Sequence, residues 1–475
     1  METPSKVFRG EFAEIWHREL GGSSNSKKFT RRISGSEGIL KHVGLYGKLN
    51  GHNGCVNTVS FNSTGDFVVS GSDDTQVIFW DWTNKTKKFT YHSGHTDNIF
   101  DAKIMPFTDD RVISFLARTV RLGQIKENGK IDTKLLGEHH GGVHDLAIEP
   151  GSPHIFYSCA EDAFVQHFDL RSHSATKLFW CSRLTKHKYR RGNIRLNAIV
   201  IDPRNPNYFS VGGYDGVARV YDIRHCQLDP SSLQDNPVNT FCPNHLLGNE
   251  EVNITGLDYS NTSELLVSYN DELVYLFNKN MGLGPNPYSA PPGDLLKLDT
   301  PQVYTGHRNA RTVKGVSFFG PSDEFVMSGS DCGNIFIWRK KGGELLRLMA
   351  GDRHIVNCLE SHPFLPVIVS SGIEKNVKVW SPVVNAGVSI PENKQWILEA
   401  NRQGREDRSR VALTPDVILH VLRLQRQQPL AGYSRYTSSD IESDEEEGED
   451  YIIGANSDGD ATSSEDGDPR ECNIS

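Results

Sequence analysis

The residues GHNGCVNTVSFNSTGDFVVSGSDDTQVIFWD, positions 51–81, decide the fold. Apolar side chains alternate through Val56-Asn57-Thr58-Val59-Ser60-Phe61, a second run covers Phe67-Val68-Val69-Ser70, and Val77-Ile78-Phe79-Trp80-Asp81 follows the turn residues Asp73-Asp74. Alternation with period two, punctuated by Gly, Asn and Asp, predicts short strands joined by tight turns. The pattern returns downstream. Later units start at Gly94-His95, His139-His140, near Asn193, near Glu251, at Gly306-His307 and at Asp352-Arg353-His354. Between Leu45 and Trp380 this makes seven units with a period of roughly 43 to 57 residues, the spacing of propeller blades with loop insertions.

Composition agrees. Of 475 residues 37% are hydrophobic, with 43 glycines and 22 prolines, which suits many short strands and turns better than long helices. No stretch of about 18 or more apolar residues occurs and Met1 to Leu20 has no signal-peptide core, so a soluble, non-secreted protein without membrane association is expected. The eight cysteines are scattered with no C-x-x-C pair, which argues against a disulfide framework or a zinc site. The net charge of −9 hides an asymmetry: Ser438 to Ser475 carries 14 acidic residues against Arg470 alone, leaving about +4 on residues 1–437.

Residues 51–81 and their repeats resemble the WD-repeat family. In such repeats a His, a strand Ser or Thr, a turn Asp and a Trp form a buried hydrogen-bonded set that ties one blade together; here those positions fall on His52, Ser70, Asp74 and Trp80. The resemblance implies an all-β, seven-bladed β-propeller of four-stranded sheets. For the ring to close, Leu45 to Leu49 should supply the outer strand of the last blade beside Val377 to Trp380. Cys332 and Glu374 occupy the turn-Asp position of the sixth and seventh units, which should therefore rely more on packing. The second unit, Ser114-Phe115-Leu116-Ala117-Arg118-Thr119, has neither turn Asp nor turn Gly and reads about two residues short, so a distorted blade is expected there.

One pattern stands out functionally. Phe168-Asp169-Leu170-Arg171 and Tyr221-Asp222-Ile223-Arg224 close equivalent strands of neighbouring units. A single Asp-x-Arg means little, since an Asp beside an Arg commonly does no more than neutralise it; two in succession would set two guanidiniums side by side on one face. Together with the stretches from Leu45 to Gly71, His154 to Leu178 and Leu196 to Arg224, they resemble the DCAF family, including its plant members, over about residues 10 to 450. These are substrate receptors that dock onto the damaged-DNA-binding protein 1 adaptor, and through it cullin 4, in cullin-4 RING ubiquitin ligases. The resemblance implies that Arg171 and Arg224 contact the adaptor, with Asp169 and Asp222 holding them, and that a helix over Glu11 to Leu20, bearing Phe12, Ile15 and Trp16, enters the adaptor's groove. It also implies a non-catalytic subunit whose protein substrate is unknown. A nuclear scaffold that binds histone tails or other basic peptides without a ligase is the alternative.

Four regions are expected: an N-terminal segment (1–43), the propeller (44–382), a helical extension (383–437) and an acidic tail (438–475). Within the extension Asn393 to Gln403 reads as helical, and Thr414-Pro415-Asp416 has the N-cap, N1 proline and acidic first turn of a helix running to about Gln427. The tail cannot bury a core and should be disordered. Its Ser439, Ser443, Ser463 and Ser464 lie beside acids and resemble acidophilic-kinase sites. The basic loop Arg183 to Arg191, with Arg195 beyond, reads as a surface loop, as an import signal or acidic-partner site, or as a phosphate contact; with Tyr189 its one aromatic, direct nucleic-acid binding has little support. Lys186 to Arg191 within that loop gives the expectation of a protein of nucleus and cytoplasm. Met281 to Thr300 reads as a loop without regular structure. No nucleotide, hydrolase or zinc-protease motif is present, so no cofactor is expected. His139, His140 and His144 are explained by blade-start duplication rather than by a metal.

Overall fold

The computed structural model describes residues 34–408 apart from 97, 109, 173, 184–191, 227–236, 289–298, 384–390 and 392, and Glu19 before them. The expected N-terminal helix with Phe12, Ile15 and Trp16, the core of the basic loop, the 414–427 helix and the acidic tail with its four serines lie outside the described residues.

Among the described residues twenty-eight strands assemble into seven four-stranded antiparallel sheets. Six take their strands in chain order. The seventh combines Val356–Ser361, Ile368–Gly372 and Asn376–Pro382 with Val43–Asn50, which pairs antiparallel to the last of them, Leu45 opposite Trp380 and Leu49 opposite Val377. The innermost strands pack blade against blade around the whole ring, the first (Val56–Phe61) meeting both the second (Asp101–Ile104) and the last (Val356–Ser361). Between blades lie separate apolar clusters, such as Leu49, Val59, Trp80 and Val379 at the closure. Each sheet buries both faces, so strands that alternate in sequence need not alternate in exposure: Asp215–Asp222 is buried along its entire length.

Register identifies the residue that each blade places where the first has Trp80, opposite Val68. It is Gly123, Phe168, Tyr221, Phe277, Trp338 and Trp380 in blades two to seven. In blade one the polar set is complete: the Trp80 indole N–H donates to Ser70 Oγ (2.8 Å), Ser70 lies 2.7 Å from His52 Nε2, and His52 Nδ1 donates to Asp74 at 3.0 Å. Blade three repeats it without the indole, His139 lying 2.7 Å from Ser158 Oγ and 3.0 Å from Asp162. Such relays leave no buried polar atom of the set unsatisfied.

Blade two departs from the expected distortion. Its four strands form one sheet, the second and third pairing without interruption from Arg111–Gln124 to Leu116–Thr119, and the third and fourth with one shift between Val120 and Arg121; two substitutions compensate for the missing motif. Thr119 Oγ1 stands 3.2 Å from His95 Nδ1 in place of the carboxylate. Tyr91 from the preceding blade fills the space over Gly123, where a Cβ would meet its hydroxyl at 2.4 Å. Blade seven departs too: rather than relying on packing alone, Glu374 binds Lys378 at 2.5 Å, and Asp352 lies 3.4 Å from the same ammonium. In blade four Arg219, fully buried, donates to Asp215 at 2.6 and 2.9 Å and to the Val217 carbonyl at 2.8 Å.

Blade six lacks the turn carboxylate, and both ring nitrogens of buried His307 have no hydrogen-bond partner. The ring packs edge-on against Trp338 instead (5.7 Å, 82°). The helix Lys394–Arg408 covers this gap: Asn401 Nδ2 donates to the Gly306 carbonyl (2.8 Å) and meets Cys332 Sγ at 3.3 Å. Desolvation, with help from Arg405 and Lys314, holds the His307 imidazole down at about 3, and desolvation likewise lowers His95 and His362 to about 4. These groups stay neutral when folded while the unfolded chain takes up protons below the ordinary value of 6.5. Stability is therefore complete above that value and is lost as pH falls from 6.5 towards 4. His307 alone should cost about 2 kcal/mol at pH 5, at ~1.4 kcal/mol per pKa unit. Thermal melts at pH 7 and pH 5 should show the difference, and His307→Gln should shrink it.

Candidate partner-docking face

Turns joining first to second and third to fourth strands emerge on one face of the ring; the blade-start histidines and the second-to-third turns occupy the other. Asp169 ends the third strand of blade three (Phe164–Asp169) and Asp222 the third strand of blade four (Asp215–Asp222), each paired with the residue that begins its second strand, Ile155 and Tyr208. The two Asp-x-Arg segments therefore lie at the same register, in consecutive blades, on one face.

Their local geometry is the same. Asp169 accepts the Arg171 backbone N–H (2.9 Å), its Nε–H (3.0 Å) and its Nη2–H (2.8 Å). Asp222 accepts the Arg224 backbone N–H (3.0 Å), Nε–H (2.9 Å) and Nη2–H (2.6 Å). The backbone bond is an Asx turn that aims the side chain, and the fork bonds fix the guanidinium plane. Nη1 takes no part in either fork. The arginine side chains remain 63% and 60% exposed while the carboxylates beneath them are 20% and 3% exposed. Hydrogen bonds from Arg171 pull Asp169 down to about 2, and those from Arg224 lower Asp222, so both stay ionised at neutral pH. So exposed an ion pair contributes little stability; what it supplies is orientation.

The strands behind the arginines are held by stacked rings. Phe168 lies parallel to Phe156 (4.6 Å, 4°), while Tyr221 stacks on Phe179 (4.3 Å) and Phe209 (5.7 Å), the last also facing Tyr157 across the blades. In the other blades the positions corresponding to Asp and Arg hold Asp81 and Thr83, Gln124 and Lys126, Asn278 and Asn280, Arg339 and Lys341, or Ser381 and Val383. Among the described residues the double fork is confined to blades three and four.

Other sequence candidates are placed differently. His139 belongs to its blade relay, His140 is exposed, and His144 pairs with Glu161 at 3.3 Å; among the described residues no group of three His, Cys, Asp or Glu is set to hold a metal. Of the basic loop's described ends, Arg183 pairs with Glu250 (3.1 Å) and Arg195 lies over the Tyr214 ring (5.6 Å). No described helix is long and apolar enough to cross a membrane. Sequence reasoning missed the carboxylates of the inner strands. Asp145 bridges to the Ile199 amide of the next blade (3.0 Å) and to Lys103 (3.2 Å); desolvation pushes Asp258 up to about 7 and Glu360 to about 8. All three fall on the regular alternation of a first strand, the one signal that pointed to them.

A closed ring of seven such sheets, with these relays, is a β-propeller of WD40 repeats. The WD domain, G-beta repeat family matches residues 44–81, 299–339 and 343–381, the three blades whose third strand carries Trp80, Trp338 or Trp380. The chain is a WD-repeat protein similar to DDB1- and CUL4-associated factor 6 of Homo sapiens, 30% identical over 56% of this chain and 31% of that protein. It is also similar to human WD and tetratricopeptide repeats protein 1 (30% identical; 53% of this chain, 40% of that one) and to Protein ALTERED SEED GERMINATION 2 of Arabidopsis thaliana (32%; 61% and 45%). The matched region spans less than half the length of each of these relatives.

Proposed function

We propose that this chain is a non-catalytic substrate receptor that docks, through Arg171 and Arg224, onto the damaged-DNA-binding protein 1 adaptor of a cullin-4 ubiquitin ligase. The observation that carries the reading is the pair of identical Asp–Arg forks in consecutive blades. Two pre-aimed guanidiniums match carboxylates or carbonyls on a partner with little entropy left to lose. Similarity to a protein named as DDB1- and CUL4-associated supports the same partner. With the adaptor on this face, the opposite face is left for a target protein. The receptor's contribution is then positional: it raises the effective concentration of target lysines near the ubiquitin carrier. The test is co-purification of the adaptor with the full chain; absence of the adaptor from the wild-type complex would overturn the reading.

A further inference from the structure

The first-to-second-strand turn of blade two, Met105 to Asp110, shares the face that bears Arg171 and Arg224. Its tip is Phe107, 73% exposed and at φ 62°. That left-handed conformation suits glycine or asparagine and strains a bulky side chain. The next blade shows what the turn calls for: Gly151, like Phe107 the third residue after its first strand, sits at φ 80° with open space around it. Blade two thus places a large aromatic ring in water at a backbone position that disfavours it, and burial gives nothing in return.

The described residues on either side of Phe107 are hydrogen-bonded. The Met105 amide donates to the Arg111 carbonyl (2.9 Å), Thr108 Oγ1 donates to the Met105 carbonyl (2.8 Å), and Arg111 Nη1 donates to His154 of blade three (3.3 Å). Arg111 and His154 line a cleft of about 680 Å³ between blades two and three that also takes in Lys134, Leu170, Asp132 and Arg171 itself. The turn that displays Phe107 therefore abuts one wall of the cleft, and the first docking arginine lines it too. The charged side chains of the lining are Arg111, Lys134 and Arg171 against Asp132, which Lys126 engages; the remainder is apolar or neutral, Leu122, Ile131 and Leu170 among them.

We infer that Phe107 is an apolar anchor of the adaptor-docking face, inserting into a recess on the adaptor while adaptor carboxylates enter the cleft beside Arg171. This rests on the receptor reading above. An exposed aromatic on the same face as pre-oriented arginines is the composition of an interface hot spot, and strain kept at an exposed tip is characteristic of binding sites.

The experiment is calorimetric titration of purified adaptor into the full chain as wild type, Phe107→Asn, Phe107→Tyr and Arg171→Ala/Arg224→Ala. Asn accepts the left-handed backbone, so Phe107→Asn should melt no lower than wild type yet bind about 10-fold or more weakly, with Phe107→Tyr close to wild type; Phe107→Gly serves as a second strain-free replacement. Wild-type affinity in Phe107→Asn, alongside loss in the arginine double variant, would overturn the anchor and leave the receptor reading standing. No binding by wild type, or full binding by the arginine variant, would remove that reading and the anchor with it.

Discussion

Arg171→Ala/Arg224→Ala is expected to weaken adaptor binding by about 100-fold or more, with circular dichroism unchanged and the melting temperature only slightly lowered. Buried interface arginines often account for 2 kcal/mol or more each, and every 1.4 kcal/mol is tenfold. The fold should respond only a little, because both guanidinium tips are exposed and Asp222, 3% exposed beneath its fork, keeps the backbone N–H of residue 224 as a donor. Each single variant should lose part of the affinity. Asp169→Asn and Asp222→Asn make a sharper control: the cationic side chains remain while the charged fork is gone, so an intermediate loss would show that orientation matters beyond charge. Titration calorimetry with purified adaptor reads all of these; wild-type affinity in the double alanine variant would refute the docking face.

The second large effect concerns stability. Arg219→Ala should destabilise the propeller by about 3–5 kcal/mol, since it leaves Asp215 without its partner and opens a void in blade four. Substituting both, Arg219→Met with Asp215→Ala, should recover much of the loss, because an apolar pair requires no charge to be desolvated. Differential scanning calorimetry of the three proteins checks this. Asp222 ends the same strand and Arg224 lies in the short helical turn that follows it, Ile223–Cys226, so Arg219→Ala should also weaken adaptor capture near its melting range while leaving the isolated forks chemically intact. A melting temperature unchanged by Arg219→Ala would mean that the buried pair contributes nothing.

These two cases mark what the sequence made readable. The forks were legible because Asp-x-Arg is a local motif and period-two alternation places it at a strand end. The ring closure was legible because an unpaired strand at Leu45–Leu49 and an incomplete last blade require each other. Blade two was misread because its compensations are long-range: the ring that fills the Trp position comes from Tyr91 of the previous blade, 32 residues before Gly123. Blade seven was misread because a Glu at the turn serves where Lys378, four residues on, meets it and Asp352 at the blade start completes the set. The Asp215–Arg219 pair left a signal that was passed over: residues four apart in a strand share a face, and two opposite charges on a face of a wholly buried strand must be paired. Nothing local foretold Phe107, whose meaning depends on a backbone angle and on the cleft alongside.

The seam between Val43–Asn50 and Asn376–Pro382 also sets a schedule for synthesis. Val43 must wait for Pro382, its partner in the finished sheet, and at about 5–20 residues per second that interval is roughly 15 to 70 seconds. Throughout it the nascent chain carries an unmatched edge at each end of a growing arc, with Leu49, fully buried in the finished ring, still in water. Such edges invite pairing with a neighbouring chain on the same polysome. Translation speed and chaperone occupancy should therefore influence the yield of closed rings more than any single blade's intrinsic stability does.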